Sequence, residues 1–247
     1  MKLLIKTHNL FRTVCLATLL FAATATLCAA DDDSDQPSHF HYLTAGQPVA
    51  TALLAPPPAA NSPEQRADID EVRAVFRGGS VADKEAAYSE KKFSIFNFAL
   101  AAGPFFTEAN LPKTAAFFKK VQKDAAAVTD SAKDYYHRPR PYTADPSLAN
   151  GKLEKSFSYP SGHSTESMVL GLVLADVMPE KREAILTHAR AMGWHRVQIA
   201  RHYPTDIYAG RVLAQSIVAE MKKSPKFERD FAEAKAEIAA TQQAARN

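Results

Sequence analysis

Cysteine is almost missing from this chain: of 247 residues only Cys15 and Cys28 carry a thiol, and both lie in the first thirty. Beyond them there is no disulfide, no thiolate nucleophile and no cysteine-held metal, so stability must come from packing. Net charge is lacking as well. The formal +3 comes from Lys2, Lys6 and Arg12 of the same N-terminal stretch, which holds no acid; without it the charge is zero. A neutral chain is not a general binder of nucleic acid or of an anionic membrane, so neither is expected as a partner. No later apolar run is long enough to span a bilayer. The longest, Met168 to Met178, is broken by Asp176 and reads as a buried helix, so no stable membrane association is expected. Strand-like alternation never exceeds four residues, and there is no internal repeat.

Those first thirty residues read as a signal peptide. A basic start precedes an apolar stretch from Val14 to Leu27, and Cys28-Ala29-Ala30 offers a small-residue cleavage site before Asp31. The expectation is removal of residues 1–30 and export, to a bacterial periplasm or beyond the cell. What remains suits one domain, since a chain of this size can bury roughly 70% of its unfolded surface.

Residues 31–62 are acidic, then rich in proline and alanine. Pro56-Pro57-Pro58 cannot be helical, because proline fixes φ and has no N–H. The segment is read as an extended arm over the domain. Ser62-Pro63-Glu64 then combines a capping hydroxyl, a first-turn proline and an acid, which predicts a helix start. That helix is expected to run to about 77 and a second from about 81 to 102. A third starts near Leu111-Pro112, with Leu111, Ala115, Phe118, Ala125, Val128, Ala132 and Tyr135 at helical period. Residues 137–162 hold five prolines and glycines beyond Pro139 and predict a long structured loop, a feature that usually serves function. Helices are expected again at about 164–177, 180–201, 204–222 and 227–244. The fold class is all-α, a single helical domain over 63–247.

Three fragments carry chemistry. Lys133 and Arg140 supply a compact ammonium and a planar guanidinium fork suited to phosphate oxygens; alone they read equally as a solvated basic patch with Arg138. Ser161, Gly162 and His163 stand before a predicted helix. Its free N–H groups attract anions, and Gly162 permits close approach; a plain capped helix with a surface histidine fits as well. Arg196 is followed by His202 and Asp206, four residues apart. On one helix this pair shares a face, and Asp206 can accept from Nδ1–H of His202, leaving Nε2 to attack. A buried structural His–Asp pair is the alternative there. Without cysteines or further acids at ligand spacing, no metal is expected.

In order, K-x6-R-P (Lys133 to Pro141), P-S-G-H (160–163) and R-x5-H-x3-D (Arg196 to Asp206) resemble the signature of the type 2 phosphatidic acid phosphatase (PAP2) superfamily, whose fold is shared with vanadium haloperoxidases. The exported leader and the arm resemble its soluble branch, the bacterial class A non-specific acid phosphatases. The resemblance implies that Lys133, Arg140 and Arg196, with Ser161 and the N–H of Gly162, hold the phosphate. It implies His202 as nucleophile, Asp206 as its support, and His163 as the acid that protonates the leaving group. No cofactor is implied, the partners are small phosphomonoesters, and a homo-oligomer is compatible. One position departs: His195 stands where the family usually has serine, either facing the site or pointing away. The rival functions are a lipid-phosphate phosphatase at a membrane surface, a vanadate-dependent haloperoxidase and a phosphate-binding protein without turnover.

Overall fold

The structure is a computed structural model and describes residues 40–90 and 93–245. The expected signal peptide and the arm up to residue 39 lie outside the described residues. Ten α-helices follow: α1 Ala50–Leu53, α2 Pro63–Gly78, α3 Val81–Ser89, α4 Ala99–Ala102, α5 Pro112–Tyr136, α6 Pro141–Ala144, α7 Gly162–Val177, α8 Arg182–Gln198, α9 Pro204–Met221 and α10 Pro225–Ala244. Short 3₁₀ turns interrupt them at Ile95–Phe98, Pro146–Leu148 and Pro179–Lys181. No strand occurs among the described residues, and the fold is all-α.

Helix α7 is the axis of the bundle. It packs against α5, α8 and α9, while α10 lies on α5 and both α2 and α3 lie on α8. Apolar or small residues cover nearly all of its surface, from Val169 and Leu170 to Val173, Leu174 and Val177. A helix apolar all round is buried all round. At Gly210 of α9 an added Cβ would stand 2.9 Å from the Ser161 carbonyl oxygen. Glycine is what lets α9 touch the start of α7. A second apolar cluster, with Ile69, Val72, Tyr142, Leu148, Val197, Tyr203 and Ile207, fills the space beneath α2.

The helix starts use local chemistry. Ser62 accepts from Gln65 N at 3.1 Å ahead of α2, and Ser80 forms a reciprocal capping box with Asp83 ahead of α3. The helix expected over 81–102 is broken. It stops at Ser89, and a second capping box, Ser94 with Asn97, restarts the chain as a 3₁₀ turn leading into α4. The serine and asparagine side chains satisfy backbone groups locally and so displace the helical ladder. Tyr135, the end of the predicted apolar stripe, is 64% exposed, whereas Phe117 and Val121 of the same helix are buried.

The described part of the arm is fastened at several points. Asp124 of α5 accepts backbone N–H bonds from His41, Tyr42 and Leu43 at 2.8, 2.8 and 3.1 Å. Tyr42 donates to Asp230 at 2.6 Å, and Tyr136 and Tyr159 donate to the Leu54 and Ala55 carbonyls. Residues 55–59, with the three prolines, are non-helical, while α1 gives the arm one helical turn.

Candidate active site

Two left-handed residues bring the fragments together. His137 caps α5 at φ 51° and donates its N–H to the Lys133 carbonyl at 3.0 Å, reversing the chain so that Arg138 and Arg140 return toward the bundle. Ala200, also at φ 51°, ends the turn after α8. There Arg201 N donates to the Arg196 carbonyl at 2.8 Å, and His202 follows directly. Neither position is glycine, so each costs about 1–2 kcal/mol that the surrounding contacts must offset.

His202 is 1% exposed. It precedes α9 instead of lying on it, so the helix carries Asp206 alone, in its first turn. The expected shared helical face is therefore not how the pair meets. Proline at 204 starts the helix two residues too late to include the histidine. Even so, Nδ1 lies 3.3 Å from Asp206 Oδ2, and Nε2 lies 3.1 Å from Arg140 NH1. A guanidinium can only donate, which fixes the tautomer: Nε2 accepts, and the proton sits on Nδ1, toward Asp206. Burial first, then the Arg140 charge, holds His202 well below the ordinary histidine range.

Asp206 is fully buried. It accepts from Arg138 at 2.6 Å, from the Ser158 hydroxyl at 2.6 Å and from Tyr203 N at 2.9 Å. Burial pushes its carboxyl above the usual range, and these donors, led by the Arg138 charge, oppose that. Sequence reasoning gave Arg138 only as part of a solvated patch. The structure instead buries it to 4% exposure between Asp68 and Asp206, with its guanidinium 4.0 Å above the Tyr203 ring. Ser158 and Asp68 were also missed. Only the alternation of proline with Arg138 and Arg140, which stiffens both, hinted at a shared role.

Arg140 caps α6 and is 3% exposed, held by the Ser156 carbonyl at 2.8 Å, the Ser156 hydroxyl at 2.9 Å and the Arg201 carbonyl at 3.0 Å. Arg196, in the last turn of α8, is 2% exposed, and its Nε has no protein partner among the described residues. Lys133 is 8% exposed, with Nζ 3.1 Å from the exposed Asp130 carboxylate. A Cβ on Gly162 would lie 3.2 Å from Lys133 Nζ, so the ammonium runs directly over the helix start. Ser161 is buried and caps α7, its oxygen accepting from Ser164 N at 3.3 Å. His163 follows, with a buried Nε2 that has no protein partner among the described residues. Burial, then Arg196 and Lys133, push its pKa down to about 3, with Glu154 opposing.

His195 reaches the site through Glu90, its Nδ1 lying 2.8 Å from that buried carboxylate. The link is indirect, because the Glu90 backbone acts as hydrogen-bond acceptor toward the His163 ring. The predicted fragments thus converge. The unforeseen member is Glu154, whose carboxylate pairs with Arg140 at 2.7 Å through one oxygen and with Arg196 through the other.

Comparison with known proteins gives the family. The PAP2 superfamily profile matches residues 122–229, which contain all three fragments. A non-specific acid phosphatase of Providencia stuartii is 30% identical over 89% of this chain and 94% of its own length. Its counterpart in Salmonella typhi is 31% identical over 75% of this chain and 78% of its own. A lipid A 1-phosphatase of Rhizobium etli is 31% identical over a shorter region, 34% of this chain and 35% of that protein. The chain belongs to the PAP2 superfamily. Within it, the protein is a phosphoric monoester hydrolase.

Proposed function

We propose that the protein is an exported, metal-independent acid phosphatase that hydrolyses soluble phosphate monoesters through a phosphohistidine. One observation carries this reading: Arg140 and Arg196, from separate segments, meet at the half-buried Glu154 carboxylate, and His202 Nε2 lies 3.1 Å from the same Arg140 guanidinium. A place that holds one carboxylate between two guanidinium groups has the charge and donor directions that a phosphate needs.

In the proposed reaction Arg140, Arg196 and Lys133 hold the phosphate oxygens, helped by the Ser161 hydroxyl and the N–H of Gly162. The lone pair on His202 Nε2 attacks phosphorus as the ester P–O bond breaks, and His163 gives its proton to the departing alkoxide. Asp206 stabilises the charge that develops on the His202 ring. Water then attacks the phosphohistidine, His163 takes the proton, and the P–N bond breaks to release inorganic phosphate. A free His163 is deprotonated at neutral pH, given a pKa of about 3. The arriving phosphate dianion supplies the negative charge that raises it.

The direct test is to quench turnover of labelled substrate without acid and map the label. Attachment to His202 is the expected result; label on any other residue overturns the assignment. A chelator should leave activity unchanged, and N-terminal sequencing of exported protein should begin at Asp31. The local match to a lipid A phosphatase supports a second reading, action on lipid phosphates. Among the described residues no helix is long and apolar enough to cross a membrane. Comparing a water-soluble monoester with a vesicle-borne lipid phosphate decides between the two.

A further inference from the structure

Five of the six residues from Gly151 to Ser156 are exposed; Glu154 alone turns inward. Its side chain is 33% exposed, yet it meets two guanidinium groups that are each about 3% exposed. One oxygen takes Arg140 NH2 at 2.7 Å, the other takes Arg196 NH2, and Arg201 Nε stands 3.9 Å away. Two oxygens of one anion divided between two arginines is the pattern a phosphate makes.

Arg140 does not depend on this contact for its position. The Ser156 carbonyl and hydroxyl and the Arg201 carbonyl already hold it. For Arg196, by contrast, Glu154 is the side-chain partner the structure describes, and its Nε has none. The loop carrying Glu154 is secured on both sides. Asn150 donates to the Leu148 and Ile199 carbonyls at 2.7 and 3.2 Å, and Ser158 N donates to the Arg138 carbonyl at 2.8 Å. Between these anchors the Glu154 backbone is tied to the Tyr142 hydroxyl, while its side chain holds to the two arginines. Its side chain can leave without unfolding either end.

We propose that Glu154 is an internal competitor for the phosphate site. Its carboxylate occupies the positions of two phosphate oxygens on Arg140 and Arg196, and it must swing out before substrate binds. This rests on the reading of those arginines as the phosphate holders. The competition raises KM and weakens inhibition by the inorganic phosphate product, because only the fraction of molecules with Glu154 withdrawn can bind. If about one molecule in ten is withdrawn, apparent affinity falls about tenfold. The carboxylate also keeps two buried cations paired while no phosphate is present, and it favours the protonated form of both histidines.

The test is Glu154→Gln, which keeps the volume and removes the charge, read as KM for a soluble monoester and Ki for inorganic phosphate. Both are expected to fall about tenfold, with kcat within about threefold of the native value. Arg196→Gln is measured beside it. If Arg196→Gln weakens phosphate binding while Glu154→Gln leaves KM and Ki unchanged or higher, the competitor is refuted and the site stands. If neither variant changes phosphate affinity, the site reading fails and the competitor with it. The native chain gives an independent arm should Glu154→Gln not fold: a crystal structure with vanadate bound. Glu154 beyond hydrogen-bond reach of both arginines is expected there; a carboxylate still bridging them overturns the proposal.

Discussion

Replacing Arg138 by leucine tests the reasoning most severely, because sequence and structure give it opposite environments. As a member of a solvated patch, its loss should cost under about 1 kcal/mol. In the structure it donates to Asp68 at 2.7 Å and Asp206 at 2.6 Å, both nearly unexposed, and to Thr205 and Gln65 as well. Removing it strands two buried carboxylates, and breaking a buried pair in this way costs about 3–5 kcal/mol. For a domain of this size that lowers Tm by roughly 6–20 °C, at about 2–4 °C per kcal/mol. Activity should fall too. With the cation gone, burial drives Asp206 toward its neutral form, and a protonated carboxyl no longer stabilises the charge that develops on the His202 ring. A kcat loss of about 10²-fold or more is expected, short of the roughly 10⁴-fold seen when the tautomer-fixing aspartate of a serine protease is neutralised. Adding Asp68→Asn removes one stranded charge and should restore part of Tm but little of kcat, since Asp206 stays unpaired. Thermal unfolding and initial rates read both effects. A Tm within about 2 °C of native, with kcat intact, refutes the buried bridge.

Three further outcomes are expected. His202→Ala should lower kcat by about 10³-fold or more while phosphate still binds, as loss of a nucleophile does; near-native turnover removes the assigned role. Gly210→Ala should destabilise the fold by about 1–3 kcal/mol, because the new methyl group meets the Ser161 carbonyl oxygen at 2.9 Å and the buried Ser164 and Thr165 side chains at 3.0 Å; an unchanged Tm contradicts the close contact of α7 with α9. The folded pKa values of His163 and His202 lie below the unfolded 6.5, so the unfolded chain binds more protons as pH falls beneath that value. Stability should therefore drop between pH 6.5 and about 4, less so with inorganic phosphate present; a flat Tm over that range disproves it.

The helical layout was legible because its signals are local. Proline at 63 and 112, the caps at Ser62 and Ser161, and the apolar run of α7 act within a turn or two of the residues they organise. The order of Lys133, Arg140, Ser161, Gly162, His163, Arg196, His202 and Asp206 was readable for a related reason: these side chains have few substitutes for holding and transferring phosphate. Even so, the break after Ser89 escaped, since Ser94 and Asn97 compete with a helix that the apolar pattern favours. Whether one helix carries both His202 and Asp206 was left conditional, because spacing alone does not distinguish one helical turn from a left-handed bend followed by a cap.

By itself the sequence determined an all-helical chain and an ordered set of cationic and imidazole groups suited to phosphate, since periodicity, capping and side-chain chemistry are properties of neighbours along the chain. Only the tertiary structure decided the fates of Arg138 and Glu154. One is buried as the bridge from Asp68 to Asp206, the other turned in from an exposed loop onto Arg140 and Arg196. Whether a charge is solvated or paired depends on the dielectric and partners around it, and those are supplied by segments up to 73 residues away.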